Sequence, residues 1–184
     1  TVVQSSYSAP ESGLVYLIGN YAGLLNFDGE EAKIIDGAPT SLQPRSPNEI
    51  TGRVYIAADF SDNKIDGLVF NRVAAISVNG VAEPIDVTLK ELVLVDGEIN
   101  SDGTYKGVAE FDDKSVAGGY GGAFGGTEAA QVAGIIDLKG DFVTGATDVD
   151  GLVSFTRDFS LAQEYGIFVI GQCPSDAESC FNPI

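Results

Sequence analysis

The chain has 184 residues, enough for one domain of ordinary size, and 44% hydrophobic against 20% charged residues favours a folded core over disorder. Ten Lys and Arg against 27 Asp and Glu leave a formal net charge of −17, which repels phosphate backbones and anionic lipid heads, so nucleic-acid and membrane-surface roles are not expected. Histidine is absent, which removes Ser–His, Cys–His and HExxH chemistries, and no run of apolar residues is long enough for a membrane-spanning helix.

Residues 1–13 are polar and Ser-rich and read as an extended N-terminal arm; residues 14–184 read as the folded domain. Thr1–Tyr7 carries neither the basic nor the apolar segment of a signal peptide, so an exported protein would have this sequence as its mature form. Leu14–Ile18 and Tyr21–Phe27 are strand-like, divided by Gly19-Asn20, and residues 28–50 form a long loop with one short strand at Lys33–Ile35. From Thr51 the hairpins become regular. Arg53–Phe60 alternates, with Val54, Ile56 and Phe60 on one face; Ser61-Asp62-Asn63 turns the chain and Lys64–Phe70 returns it.

Val87–Val95 follows, then the turn Asn100–Gly103, then Thr104–Phe111, whose Tyr105, Gly107, Ala109 and Phe111 share the inner face. Further strands are expected at Gly119–Phe124, Gly134–Leu138, Gly151–Phe155 and Gly166–Ile170. Thr127–Val132 reads as a helical turn, with Thr127 as N-cap, Glu128 in the first turn and Gly134 just past its end; a second short helix is expected at Leu161–Tyr165. Eight or nine strands with almost no helix point to an all-β fold. A closed antiparallel barrel is favoured over a sandwich because Gly67, Gly107 and Gly122 fall within strands, where strong curvature leaves little room for a Cβ.

The only cysteines, Cys173 and Cys180, flank six residues that include Pro and Ser. A structural disulfide suits that spacing and implies an oxidising compartment. A redox pair would be spaced by two residues, and a metal pair would need further ligands that do not stand nearby.

The run Gly119-Tyr120-Gly121-Gly122-Ala123-Phe124-Gly125-Gly126-Thr127-Glu128-Ala129-Ala130-Gln131-Val132-Ala133-Gly134 resembles a signature of the bacterial transferrin-binding protein B family, in which a Gly-x-Phe-(Tyr)-Gly strand leads into a short Ala/Glu helix and the next strand. The hairpin Gly52–Phe70, the strand Gly103–Ala109 and the segment Tyr21–Leu25 are similar to other family elements, in family order. On that resemblance Gly122 and Gly125 let the strand close against the helix, Phe124 anchors it inward, and Glu128 and Gly134 bracket the helix. The resemblance implies a small single eight-stranded barrel, exported to the surface of a Gram-negative-type bacterium, that binds a partner through its loops.

Candidate chemistry is sparse. Asp148 and Asp150, two apart before Gly151, are the best candidate site for a hard cation such as calcium, although the full spaced set of oxygen ligands is missing. No second carboxylate is placed opposite Glu128 for glycosidase work, and without Trp there is little sugar platform, so no enzyme is expected. A haem would have only Tyr, Cys or Lys as axial ligand. The expected function is therefore a secreted or cell-surface binding protein for a protein or an iron- or haem-bearing ligand. The alternative is a subunit of an extracellular filament that self-assembles by adding residues 1–12 as a strand to a neighbour.

Overall fold

The computed structural model describes residues 7–11, 13–26, 48–76, 83–140, 162–174 and 176–181. Nine strands follow one another: β1 Leu14–Asn26, β2 Asn48–Asp59, β3 Lys64–Ile76, β4 Ile85–Thr88, β5 Leu92–Ile99, β6 Thr104–Phe111, β7 Val116–Gly125, β8 Gln131–Gly140 and β9 Ala162–Gln172. Their order is β2-β1-β9-β8-β7-β6-β5-β3, and β3 pairs back onto β2, so eight antiparallel strands close into a barrel. β4 pairs with β3 alone among the described residues and lies outside the ring. The all-β antiparallel barrel expected from the sequence is the fold.

Alternation explains the closure. In β2, Val54, Ile56 and Ala58 are fully buried while Arg53 and Thr51 are exposed; β6 alternates in the same way through Tyr105, Ala109 and Phe111. Eight strands enclose a space that side chains can fill, and here Leu17, Ile65, Val69, Leu92, Leu94 and Leu138 do so with no exposure.

Several elements differ from the sequence reading. Gly19-Asn20 does not divide β1; Gly19 faces inward, where a Cβ would strike the side chain of Ile170, so this glycine makes room and makes no turn. The strand expected over Val87–Val95 is interrupted after Thr88. Leu89 there donates its N–H to the Arg72 carbonyl (2.9 Å), and Lys90 turns its own carbonyl toward the Arg72 guanidinium.

The helix expected over Thr127–Val132 shrinks to one 3-10 turn, Thr127–Ala129, because Gln131 and Val132 already belong to β8. Thr127 is not its N-cap: Gly126 occupies that position at φ 78, with no side-chain cap bond, and Gly134 lies well inside β8. Ala162–Tyr165, expected to be helical, opens β9, where ladders on both sides outweigh a marginal helix propensity. A short helix, α1 (Ala177–Phe181), instead forms the end of the cysteine loop and carries Cys180. Asp176 and Ser179 cap it reciprocally, Ser179 N–H to Asp176 Oδ1 at 2.8 Å and Asp176 N–H to Ser179 Oγ at 3.1 Å. The strands expected at Lys33–Ile35 and Gly151–Phe155 lie outside the described residues.

The described part of the arm folds back on its own barrel. Ser8 exchanges backbone bonds with Gly126 (3.2 Å) and Ala129 (3.0 Å), and the Tyr7 ring lies near Phe60, 6.4 Å between centroids.

Candidate functional site

Side chains of the described residues fill the barrel interior. Tyr105 donates its hydroxyl to the Ala133 carbonyl (3.0 Å) and Tyr120 to the Ile65 carbonyl (2.9 Å); burial pushes both phenols well above their ordinary range. Tyr21 donates to Glu164 Oε1, and Arg72 donates to both Glu164 Oε2 and the Lys90 carbonyl. Arg72 and Glu164 have no exposure at all. Burial raises the Glu164 carboxyl, with the Arg72 charge and the two hydrogen bonds acting in the opposite direction. Burial, then the Glu164 charge, raises Tyr21. This cluster ties β1, β3, β9 and the β4–β5 break together.

Arg72 faces inward because of a β-bulge. Thr51 pairs with Val73 while Arg53 pairs with Phe70, so β3 holds one residue more than β2 across this step, and Asn71 takes φ 51. Asn tolerates that left-handed conformation better than most residues. Val69 and Arg72 thereby both point into the barrel.

Three residues of the signature, Gly122, Phe124 and Gly134, gather around Tyr105. A Cβ on Gly122 would strike the Ala133 carbonyl oxygen, one on Gly134 would strike the Phe168 ring, and both would crowd the Tyr105 hydroxyl. The Phe124 ring lies 5.4 Å from Tyr105 and 5.0 Å from Phe60. Gly125 is the last β7 partner of β8, opposite Gln131. Glu128 is exposed at φ 55, its N–H donating to Ser8 Oγ (2.9 Å) and its carbonyl accepting from Gln172 Nε2 (2.5 Å). These positions build a packed barrel end and do not converge on a ligand.

Asp148 and Asp150 lie outside the described residues, and among the described residues no group of three or more acidic, His or Cys side chains could hold a metal ion. Cys173 and Cys180 form a disulfide with Cα atoms 5.0 Å apart. Cys173 N–H donates to the Tyr16 carbonyl (2.8 Å), and the clasp brings the Phe181 ring within 5.2 Å of Tyr55 and 6.1 Å of Phe70 on the outer wall.

The surface feature that sequence reading missed is a second, opposite stretch of outer wall. On β9, Tyr165, Ile167 and Val169 are 49%, 61% and 72% exposed; Ile135 on β8 is 63% and Leu24 on β1 43% exposed. Register places them side by side. Leu24 is opposite Tyr165, Ile167 opposite Ile135, and Ile135 opposite Gly121; Val169 is opposite Ala133, which is opposite Ala123. β7 presents only Gly119, Gly121 and Ala123 in these rows, so a ridge on β9 and a trough over β7 run along either side of β8. The trough opens into a shallow groove of about 590 Å³ bordered by Ile135, Asp137, Lys139 and Gln163. The alternation in Gln163–Gly171 carried this signal: apolar residues stand at every position of β9 from Tyr165 to Ile170, whereas a half-buried strand would have polar residues on one face.

No protein-family model matches the sequence, and no curated protein is significantly similar to it. Among solved structures, the chain is similar to a double mutant of transferrin-binding protein B from Haemophilus parasuis Hp5 (TM-score 0.49, 15% identity, covering 89% of this chain and 26% of that chain). It is also similar to a single mutant of the same protein (0.47, 16%, 89% and 27%) and to intact Ap-TbpB with its N and C lobes (0.47, 14%, 89% and 27%). The chain spans about a quarter of the length of these structures. The barrel rests on the closed strand register above.

Proposed function

We propose that the chain is a non-enzymatic binding module at the extracellular or outer-membrane surface of a Gram-negative-type bacterium, a barrel of the transferrin-binding protein B kind, which engages a protein partner through the outer face of β7, β8, β9 and β1. The exposed ridge of Tyr165, Ile167 and Val169 beside Ile135 carries this reading, since with Leu24 it gathers five of the eight exposed large hydrophobic residues among those described, and the largest apolar patch of a protein surface is often its functional one. The filled interior supports recognition from outside, and the disulfide suits an oxidising compartment. A haem- or iron-bearing ligand gains less support: the Tyr21, Tyr105 and Tyr120 hydroxyls are engaged internally and both cysteines are bonded to each other. Strand addition through the arm would first have to break the bonds of Ser8 to its own barrel.

The test is photocrosslinking in cells expressing the full chain. With Ile167 replaced by a photoreactive benzoylphenylalanine, a discrete protein adduct is expected; the same group at the exposed Glu98 on β5, across the barrel from β9, should give none. Absence of an adduct at 167, or equal adducts at both positions, would refute the reading.

A further inference from the structure

The barrel end where the arm lands is held in a strained form. Glu128 and Ala129 are consecutive non-glycine residues at φ 55 and 53, in the left-handed region that L-residues avoid. A chain with 23 glycines, one of them at Gly126 with φ 78, nonetheless has Glu and Ala at these two positions. Such backbone persists only where its surroundings impose it, and strained positions cluster at switch regions. Two clamps impose it here. Gln172 holds the carbonyl side, its Nε2 donating to the Glu128 and Ala129 oxygens (2.5 and 3.1 Å). Ser8 holds the N–H side: its Oγ accepts from Glu128 N–H (2.9 Å), its carbonyl accepts from Ala129 N–H (3.0 Å), and its own N–H donates to the Gly126 carbonyl (3.2 Å).

The clamps differ in how firmly they are themselves fixed. Gln172 ends β9, and its N–H donates to the Ala130 carbonyl (3.2 Å). Ser8 is exposed, lies in no strand, and is followed by the exposed Ala9 and Glu11. Among the described residues, the next backbone bond of the arm is at Gly13, whose carbonyl accepts from Phe60 N–H (2.5 Å). The apolar anchor of Ser8 is its neighbour Tyr7, whose ring lies across Gly103, where a Cβ would sit 2.9 Å from three ring atoms, and beside Phe60. The strain of two left-handed residues is of the same order as the net worth of three hydrogen bonds, and bonds made at an exposed residue open readily to water. The bound and released arm therefore lie close in free energy, as a two-state element requires.

Independently of the outer-wall reading, we propose that Tyr7-Ser8 is an autoinhibitory strap. Bound, it holds the β7–β8 turn in its left-handed form and covers Gly103 and Phe60. Released, it lets the turn relax and leaves its seat to an incoming extended segment in which an aromatic residue precedes Ser.

Nuclear magnetic resonance on the full chain tests this. Ser8→Pro removes both the N–H and the hydroxyl, so Glu128 should lose the strong intraresidue HN–Hα cross-peak that a positive φ gives, while the strands of the barrel keep their shifts. A peptide of residues 5–12 should restore that cross-peak in Ser8→Pro. It should bind the parent at least ten-fold more weakly, the reduction expected for a seat free in about one molecule in ten. Adding Glu128→Gly removes strain that the peptide must otherwise impose, so the peptide should bind Ser8→Pro/Glu128→Gly more tightly than Ser8→Pro. Tyr7→Ala, which takes the ring off Gly103 and leaves the backbone intact, should also raise peptide affinity above that of the parent, and serves if Ser8→Pro does not fold. The proposal is overturned if Glu128 keeps its cross-peak in Ser8→Pro, if the peptide binds neither arm variant, or if it binds the parent and the arm variants equally. A double variant no tighter than Ser8→Pro also overturns it.

Discussion

Replacing Arg72 by Met removes the only cation that faces the buried Glu164 carboxyl among the described interior side chains. Two costs of different character follow. The Lys90 carbonyl loses its donor, a pH-independent penalty of about 1–3 kcal/mol. Glu164 loses the charge that opposed its desolvation, so its folded pKa, already raised by burial, moves further up. A carboxyl raised above its ordinary value of 4.5 contributes fully to stability below that pH, and the contribution is lost as pH rises through the folded value. Protonation from solution caps the loss at about 1.36 kcal/mol for each pH unit above 4.5, hence about 1.4 kcal/mol at pH 5.5 and about 4.8 kcal/mol at pH 8. Urea unfolding of Arg72→Met, followed by tyrosine fluorescence at both pH values, should show this slope against the carboxyl-free reference Arg72→Met/Glu164→Gln. Parallel pH curves for the two variants would refute the argument, because they would mean that Glu164 keeps its ordinary pKa without Arg72.

The glycines of β7 and β8 should separate sharply. Gly134→Ala places a methyl against the Phe168 ring and should lose about 1–3 kcal/mol by overpacking, while Gly119→Ala should stay within about 0.5 kcal/mol of the parent in the same urea titration. Asp102 accepts from the Thr104 hydroxyl (2.6 Å) and N–H (3.0 Å), which hold its carboxyl below the ordinary 3.8. Its stabilising effect is therefore present above pH 3.8 and lost as pH falls through the folded value, so wild type and Asp102→Asn should converge in melting temperature on strong acidification. Opening the eight-residue disulfide loop with Cys173→Ser/Cys180→Ser should cost about 2.5 kcal/mol on the chain-entropy model, and calorimetry with no change would place the clasp outside the cooperative unit.

What was legible in the sequence was whatever local alternation could carry. The turns at Ser61–Asn63 and Asn100–Gly103 and the inner face of β6 follow from patterns of two and from turn chemistry, and they stand where expected. Positions governed by distant partners were not legible. Gly19 looks like punctuation until Ile170 is known to lie over it. Phe70-Asn71-Arg72 looks like a strand exit, yet β3 runs on to Ile76 because β2 and β4 pair with its second half. Glu164 in Leu161–Tyr165 reads as the polar face of a helix, and only the cross-barrel approach of Arg72 and Tyr21 makes it a core residue. Of the candidate face, each residue is visible as apolar, but adjacency across β1, β9, β8 and β7 joins segments more than a hundred residues apart.

The extra residue at Asn71 bears on how this chain can vary in length. Because alternation runs inward at Val69 and inward again at Arg72, excising Asn71 would leave every later side chain of the strand on its present side, with Arg72, Ala74 and Ile76 still enclosed. Single-residue shortening, ruinous in a regular ribbon, is thus geometrically permitted at this bulge. Homologues that differ by one codon here would keep the same interior.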